Sequence, residues 1–127
     1  MLGRALVVGL LLAFVASPRA DAAVTEQNFE MRTTSDLLAL CGVSPTDPNA
    51  NAAIHFCHGF VVGVERLHRT VGDIYEGRVY CLPKDALPTR DAGIDEFVAW
   101  GQANPGENYL PPVDGLLTWL GQSYPCN

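Results

Sequence analysis

The chain has 127 residues, of which 48% are hydrophobic and 17% are charged, and its formal net charge at pH 7 is −6. This length predicts a single domain with a modest core. The acidic balance argues against nucleic acid and anionic membrane surfaces as partners, because both attract basic proteins, and it favours a basic partner instead.

Residues 1–22 have the pattern of a secretory signal peptide, with a positive charge, a short apolar run and an Ala-x-Ala site ending at Ala22. The alternative is an uncleaved membrane anchor, but the run is shorter than the roughly 20 helical residues that cross a bilayer. We predict cleavage after Ala22, with Ala23 as the alternative. Cleavage after Ala22 removes two of the eight basic and one of the 14 acidic residues, so the exported domain, 23–127, would carry a net charge of −7.

All four cysteines lie in this predicted exported domain: Cys41, Cys57, Cys81 and Cys126. An even number of cysteines in a small exported domain predicts two disulfides, which allows three pairings. We favour 41–57 because one cysteine ends a helical segment and the other lies early in the next, so that a helical hairpin brings them together. That leaves 81–126. A metal site is the alternative, but the long, uneven spacings contain no C-x-x-C, and we predict no metal and no cofactor.

Hydrophobic periodicity predicts an all-α fold, a small bundle of about four helices closed by the two disulfides. The predicted helices are Ser35–Cys41, Ala53 to about Ile74, Arg90–Ala103 and one that begins at Pro111 or Pro112. Thr33 or Thr34 is expected to cap the first helix and Thr89 the third. Val24–Arg32 shows no strong period and is expected to form an extended arm.

The second predicted helix is the longest and carries an unbroken apolar stripe at helical spacing. The stripe consists of Ala53, Cys57, Phe60, Val64, Leu67 and Val71. A separate narrow edge contains Gly59 and Gly63, which cost about 1 kcal/mol each in a helix relative to alanine. We interpret this edge as a helix-packing site where another part of the backbone approaches closely.

No catalytic motif is present, and we predict that the protein is not an enzyme and has no catalytic residues. The chain lacks G-x-S-x-G, H-E-x-x-H, a phosphate loop and a glycine-rich dinucleotide turn. His55 and His58 are interpreted as solvated polar residues, and His68 as a partly buried, hydrogen-bonded one. The carboxylates at the start of the third helix are interpreted as helix-start charges: Asp91, Asp95 and Glu96.

Four short motifs resemble, in order and spacing, the Rap/Tai family of immunity proteins. They are T-T-S-D-L-L-A-L-C at 33–41, C-H-G-F-V-V-G-V at 57–64, Y-C-L-P at 80–83 and S-Y-P-C at 123–126. Pro105, which closes the third helix, and the proline-led fourth helix match as well. The resemblance covers nearly the whole exported domain.

The resemblance implies an HdeA-like helical fold, export to the periplasm and neutralisation of a peptidoglycan amidase effector delivered by type VI secretion. Because members of the family often form dimers, a homodimer is a further expectation. The domain at 23–127 would then bind a secreted cell-wall amidase and contact neither nucleic acid nor, after signal cleavage, a membrane.

The loop at 104–112 departs from the family pattern, and loops set the choice of partner. Its three prolines restrict the backbone and so reduce the entropy lost on docking. We predict that this loop binds the partner, with these candidate residues: Asn104, Glu107, Asn108 and Tyr109. The turn-rich loop at 43–50 is the second candidate, and the alternative is that both loops are ordinary connectors.

Two other functions remain open at this point. The HdeA-like fold allows an acid-stress chaperone, although two disulfides and three histidines argue against a large opening at low pH. The third possibility is an exported accessory protein without an effector partner.

Overall fold

The computed structural model describes residues 22–127, so the predicted signal peptide lies outside the described residues except for Ala22. Four α-helices and no strands form the described part of the chain. They are α1 (Thr34–Cys41), α2 (Ala50–Tyr75), α3 (Arg90–Ala103) and α4 (Pro112–Ser123). The prediction of a small all-α bundle is therefore confirmed. None of the helices in 22–127 combines the length and apolar character needed to cross a bilayer.

Local sequence signals determine where the helices begin. Thr33 caps α1 by accepting a hydrogen bond from the backbone N–H of Asp36, and Thr89 caps α3 in the same way from that of Ala92. Pro112 occupies the first turn of α4, where a missing N–H costs nothing. The bounds predicted for α3 match the structure, and α2 begins three residues earlier than predicted.

The prediction of an extended arm at 24–32 is wrong, because Glu26–Glu30 forms a short 3₁₀ helix. Two hydrogen bonds explain the difference. The side chain of Asn28 accepts from the backbone N–H of Thr25 at 2.9 Å, which caps the turn, and donates to the carboxylate of Asp36 at 3.1 Å. These polar contacts fold the arm against the start of α1. Because they involve no hydrophobic residues at regular spacing, the sequence pattern did not reveal the helix.

The shortest helix, α1, lies at the centre of the bundle and contacts the 3₁₀ helix and the other three α-helices. Its Leu37 and Leu40 are fully buried. They belong to one core that combines residues from every helix and from the segment between α2 and α3. The main members are Leu37, Leu40, Ala53, Cys57, Tyr80, Ile94, Phe97, Leu116, Trp119 and Leu120.

The predicted stripe of α2 is buried only in its first half. Ala53 and Cys57 are fully buried, whereas Leu67 is 65% exposed and Val71 is also exposed. The reason is length: at 1.5 Å per residue, the 26 residues of α2 span about 39 Å and the 14 residues of α3 about 21 Å. The second half of α2 therefore extends past the other helices and has few side chains to pack against.

The predicted packing edge at Gly59 and Gly63 is also wrong within the described residues. A Cβ atom built at either position would meet nothing within 4 Å. Cys57 determines which side of α2 faces the bundle, and Gly59 lies about 200° further round the helix. Close approaches occur elsewhere, at Gly101 and Gly115, where an added Cβ would overlap the side chains of Leu38 and Thr34 respectively.

Both disulfides form as predicted, Cys41–Cys57 and Cys81–Cys126. The first joins the end of α1 to α2. The second joins the segment after α2 to the C-terminal tail, and a backbone hydrogen bond of 2.8 Å from Cys81 N to the carbonyl of Tyr124 reinforces that contact. No free cysteine is present in residues 22–127.

Candidate partner-binding face

The loop at 104–112 is fixed to the N-terminus of α1. The first N–H groups of a helix have no partner inside the helix, and here the loop provides the acceptors. Thr34 N donates to the carbonyl of Leu110 at 2.7 Å, and Ser35 N donates to that of Asn108 at 2.9 Å. Residues 105–107 add a turn of 3₁₀ helix. The backbone of the loop is therefore fixed before any partner binds.

Thr34 is the residue that holds this junction together. It is fully buried, and its hydroxyl lies 3.0 Å from the carbonyl oxygen of Leu110 and 3.1 Å from that of Pro111. Its side chain occupies the space that Gly115 leaves open on α4. The sequence suggested Thr34 only as a possible helix cap, because nothing local to α1 shows that the 104–112 loop folds back onto it.

The structure separates the roles of the four candidate residues in this loop. Asn104 caps α3, since its side-chain amide donates to the carbonyl of Trp100 at 2.8 Å. Asn108 is half-buried, and its Oδ1 atom has no hydrogen-bond partner among residues 22–127. Glu107 is half-buried as well. Tyr109 is 75% exposed and is the side chain that the loop presents to solvent.

The second candidate loop, 43–50, is also rigid, but for structural reasons. The carboxylate of Asp47 accepts hydrogen bonds from Val24 N at 2.9 Å and Asn49 N at 2.7 Å, and the amide of Asn49 donates to the carbonyl of Val24 at 3.2 Å. Asp47 therefore anchors the start of the predicted exported domain. A cleft of about 590 Å³ lies between this loop and the first turns of α2 and α3.

A shallow groove between α1 and α3 connects the two loops. It is bordered by Val43 and Ser44 at one end and by Asn108 at the other, and Val43 also lines the cleft beside the 43–50 loop. We call the 104–112 loop, this groove and this cleft together the partner-binding face. The sequence predicted the two loops separately and did not indicate that one surface joins them.

Charge is distributed unevenly over the domain. Five of the six basic residues after Ala22 lie between Arg66 and Arg90, and neither 33–65 nor 91–127 contains a lysine or an arginine. Those two basic-free stretches supply nearly all of the partner-binding face, in which Asp91 and Asp95 line the cleft and Glu107 lies on the 104–112 loop. The face is therefore acidic and suits a basic surface on a partner.

The three histidines lie in three different environments. His55 is exposed, whereas His58 is half-buried, with Nε2 3.4 Å from a carboxylate oxygen of Asp91 but without hydrogen-bond geometry. The interpretation of His58 as a solvated residue is thus wrong, because the start of α3 covers it. No group of three or more histidine, cysteine or carboxylate side chains within 22–127 is arranged to hold a metal ion.

His68 is partly buried and hydrogen-bonded, as predicted. Its Nε2 atom accepts a hydrogen bond of 2.9 Å from the backbone N–H of Val79, and its ring stacks on Tyr80 with 4.0 Å between the ring centres. Burial lowers the pKa of His68, and the nearby Arg78 guanidinium lowers it further against an opposing effect of Glu65. The neutral imidazole therefore holds residues 79–80 against α2.

One family model, described as Rap1a immunity proteins, matches residues 33–126 of this chain. The match includes all four cysteines, the four helices and both candidate loops. No curated protein and no solved structure matches the chain. The family description indicates a role in immunity to an effector protein, hence binding to that effector.

Proposed function

Since this chain belongs to the Rap1a immunity protein family, we propose that it is an exported binding protein that neutralises a cell-wall amidase effector of type VI secretion. It would act by covering the active site of the amidase, without catalytic residues of its own. The observation that carries the proposal is Tyr109, an exposed aromatic residue on a loop whose backbone is already fixed.

A rigid loop with one projecting tyrosine suits insertion into a cleft. Tyrosine is enriched among the few residues that supply most of the binding energy in protein interfaces. Ordering a flexible loop on binding costs free energy, and the contacts of this loop with Thr34 and Ser35 remove most of that cost in advance. Glu107 adds a carboxylate two residues before the tyrosine, Asn104 caps α3, and the backbone carbonyl of Asn108 accepts from Ser35 N.

The acidic partner-binding face supports a basic surface on the amidase. The cleft that continues from the groove is lined by two carboxylates, Asp91 and Asp95, and no lysine or arginine lies in 33–65 or 91–127. Opposite charge on the partner would speed association and would penalise competing acidic partners.

The proposed location is the periplasm, reached through the predicted signal peptide at 1–22. Two disulfides and an immunity family fit a protein outside the reducing cytoplasm. Val24, the second residue after the predicted cleavage site, is buried and is bonded to Asp47, so cleavage at Ala22 would leave the folded domain complete.

A homodimer formed through α2 is part of the proposal. One face of α2 carries exposed residues, and we call it the α2 stripe; at its N-terminal end the ring of Phe56 also packs edge-on against Phe29. The stripe consists of Phe56, Gly59, Gly63, Leu67 and Ile74. Contiguous exposed apolar surface marks interaction sites. The two glycines would let a second copy of the helix cross closely in a two-fold arrangement, which gives them the packing role that they lack within the chain.

The test is capture followed by inhibition. Immobilised protein, residues 23–127, is exposed to a panel of purified cell-wall amidases and, as controls, to peptidoglycan hydrolases that cleave sugar bonds. We expect one amidase to bind and to lose its activity on peptidoglycan at a one-to-one ratio of chains. Binding of sugar-cleaving enzymes alone, or binding without loss of amidase activity, would contradict the proposal.

A further inference from the structure

Three of the arginines of the domain line one hollow on its surface. The hollow has a volume of about 460 Å³ and lies between the middle of α2 and the start of α3. We call it the basic hollow, and its lining consists of Arg66, Arg69, Arg90, Glu65, Thr70 and Val62. None of these residues lines the groove or the cleft of the partner-binding face, so the basic hollow is a separate site that borders the cleft.

The lining carries positive charge that the rest of the domain leaves free. Glu65 is occupied by Arg69, whose Nε atom donates to its carboxylate at 3.1 Å. Arg66 and Arg90 are exposed and form no ion pair within residues 22–127. A guanidinium group presents its N–H donors in a planar fork that matches the two oxygens of a carboxylate. Two such groups are therefore available to an anionic ligand.

We propose that the basic hollow binds free carboxylates on the peptides of peptidoglycan, and so holds the protein at the wall on which the amidase effector acts. The choice of ligand rests on the proposed function, because peptidoglycan is the polymer that a cell-wall amidase cleaves. The shape of the site supports the same choice. Arginines that line a hollow can surround a short peptide, whereas the flat surface of a bilayer would leave the hollow unfilled.

The negative net charge of the domain does not oppose this contact. At physiological ionic strength, exposed charges more than about 8 Å apart are largely screened from each other. A small ligand in the hollow therefore responds mainly to the arginines around it. The carboxylate that follows Arg90 in the chain, that of Asp91, lies 3.4 Å from His58 Nε2 and lines the cleft instead.

Cosedimentation with purified sacculi, the insoluble peptidoglycan of the wall, tests the site in the absence of any amidase. Residues 23–127 are mixed at pH 7 with native sacculi or with sacculi whose carboxylates have been converted to neutral amides by carbodiimide and ammonia. The two polymers then differ only in charge. We expect native sacculi to bind the protein at least about fivefold more tightly than amidated sacculi, and added salt to weaken that binding.

Three single variants test which arginines are responsible. Arg66→Gln and Arg90→Gln each remove one free guanidinium from the hollow and should weaken binding to native sacculi at least about fivefold. Arg32→Gln is the matched control, because it removes the same charge from a side chain that is 78% exposed and lies outside the hollow, and it should bind like the wild type. The comparison of the two kinds of sacculi with wild-type protein stands even if a variant does not fold.

Equal binding to native and amidated sacculi would overturn the proposal. Equal losses in all three variants would overturn it as well, because net charge rather than the hollow would then be the cause. Comparable binding to phosphatidylglycerol vesicles, with the same dependence on Arg66 and Arg90, would assign the hollow to lipid phosphates instead.

The assay also separates this inference from the proposed function. An amidase that is captured and inhibited by a protein that does not bind sacculi would overturn the inference alone. Binding to native sacculi by a protein that captures no amidase would support the basic hollow and contradict only the proposed function.

Discussion

Thr34 and Gly115 meet where α1, α4 and the 104–112 loop come together, and they show how single residues set this fold. The buried hydroxyl of Thr34 bonds to two loop carbonyls, and the position of its side chain requires that α4 have no Cβ at 115. A polar residue is usually exposed. Here its burial is compensated by hydrogen bonds that also fix the loop carrying Tyr109.

The first prediction concerns this contact. Gly115→Ala should lower the free energy of unfolding by about 1–3 kcal/mol, because the new methyl group overlaps the fully buried side chain of Thr34. Gly93→Ala is the matched control in another helix, α3. Its Cβ meets only Pro88, at 3.8 Å, so it should gain about 0.5–1 kcal/mol from helix propensity. Urea denaturation measures both, and equal stability of the two variants would contradict the packing at Thr34.

The second prediction concerns His68 and pH. Because burial lowers its pKa in the folded state below the ordinary value of 6.5, the unfolded chain takes up the proton first. Stability should therefore fall as pH drops below about 6.5 and level off below the folded-state pKa. His68→Gln keeps a hydrogen-bond acceptor but does not titrate, so its stability should decline less between pH 7 and pH 5. Identical pH profiles from thermal unfolding would exclude His68 as the cause.

At the scale of elements, α1 and α2 show what hydrophobic patterns can and cannot predict. The start of α3 could be predicted from its cap residue, and both disulfides from the helical period and the position of each cysteine. The exposure of the second half of α2 could not be predicted, because a period of 3.6 residues identifies an apolar stripe but not what covers it. The same gap explains Gly59 and Gly63, because small residues on one helix edge leave room for a neighbour without showing that one is there, and within 22–127 none is.

The candidate site was predictable to a similar extent. Three prolines and an aromatic residue marked the 104–112 loop, and Tyr109 is exposed there. The contacts that fix the loop to Thr34 and Ser35 join residues more than 70 positions apart, and no local pattern contains them. The α1–α3 groove depends on the packing of distant elements in the same way.

The third prediction tests the α2 stripe. Leu67→Glu places a charge at the centre of the proposed dimer contact and should convert a dimer into a monomer, as measured by sedimentation equilibrium. Leu87→Glu is the control, because the two leucines are similarly exposed, at 65% and 56%, but lie on different elements. A wild-type monomer, or a dimer that tolerates Leu67→Glu, would contradict a dimer through α2.

For the whole molecule, the two disulfides hold the bundle closed at different places. Cys41–Cys57 joins α1 to α2 across a sequence separation of 16 residues. Cys81–Cys126 closes a loop with a sequence separation of 45 residues, which contains α3 and α4. In a domain of about 100 residues, crosslinks of this kind supply a large part of the net stability, because they reduce the entropy of the unfolded chain.

The fourth prediction follows from those loop lengths. Replacing Cys81 and Cys126 together with alanine should cost about 4 kcal/mol on the chain-entropy model, and replacing Cys41 and Cys57 about 3 kcal/mol before any loss of packing. Urea unfolding of the two double variants measures the losses. A loss below about 1 kcal/mol for the 81–126 pair would show that the unfolded chain is not constrained by that crosslink.

The central claim is that the molecule binds an amidase effector through Tyr109 on a loop fixed in advance. The most direct measurement is calorimetric titration of the captured amidase with wild-type protein, Tyr109→Ala and Tyr75→Ala. The two tyrosines are 75% and 76% exposed, but Tyr75 ends α2, far along the chain from the loop. We expect Tyr109→Ala to weaken binding at least tenfold, about 1.4 kcal/mol, with an unchanged melting temperature, and Tyr75→Ala to bind like the wild type. Equal affinity of all three proteins would contradict the account.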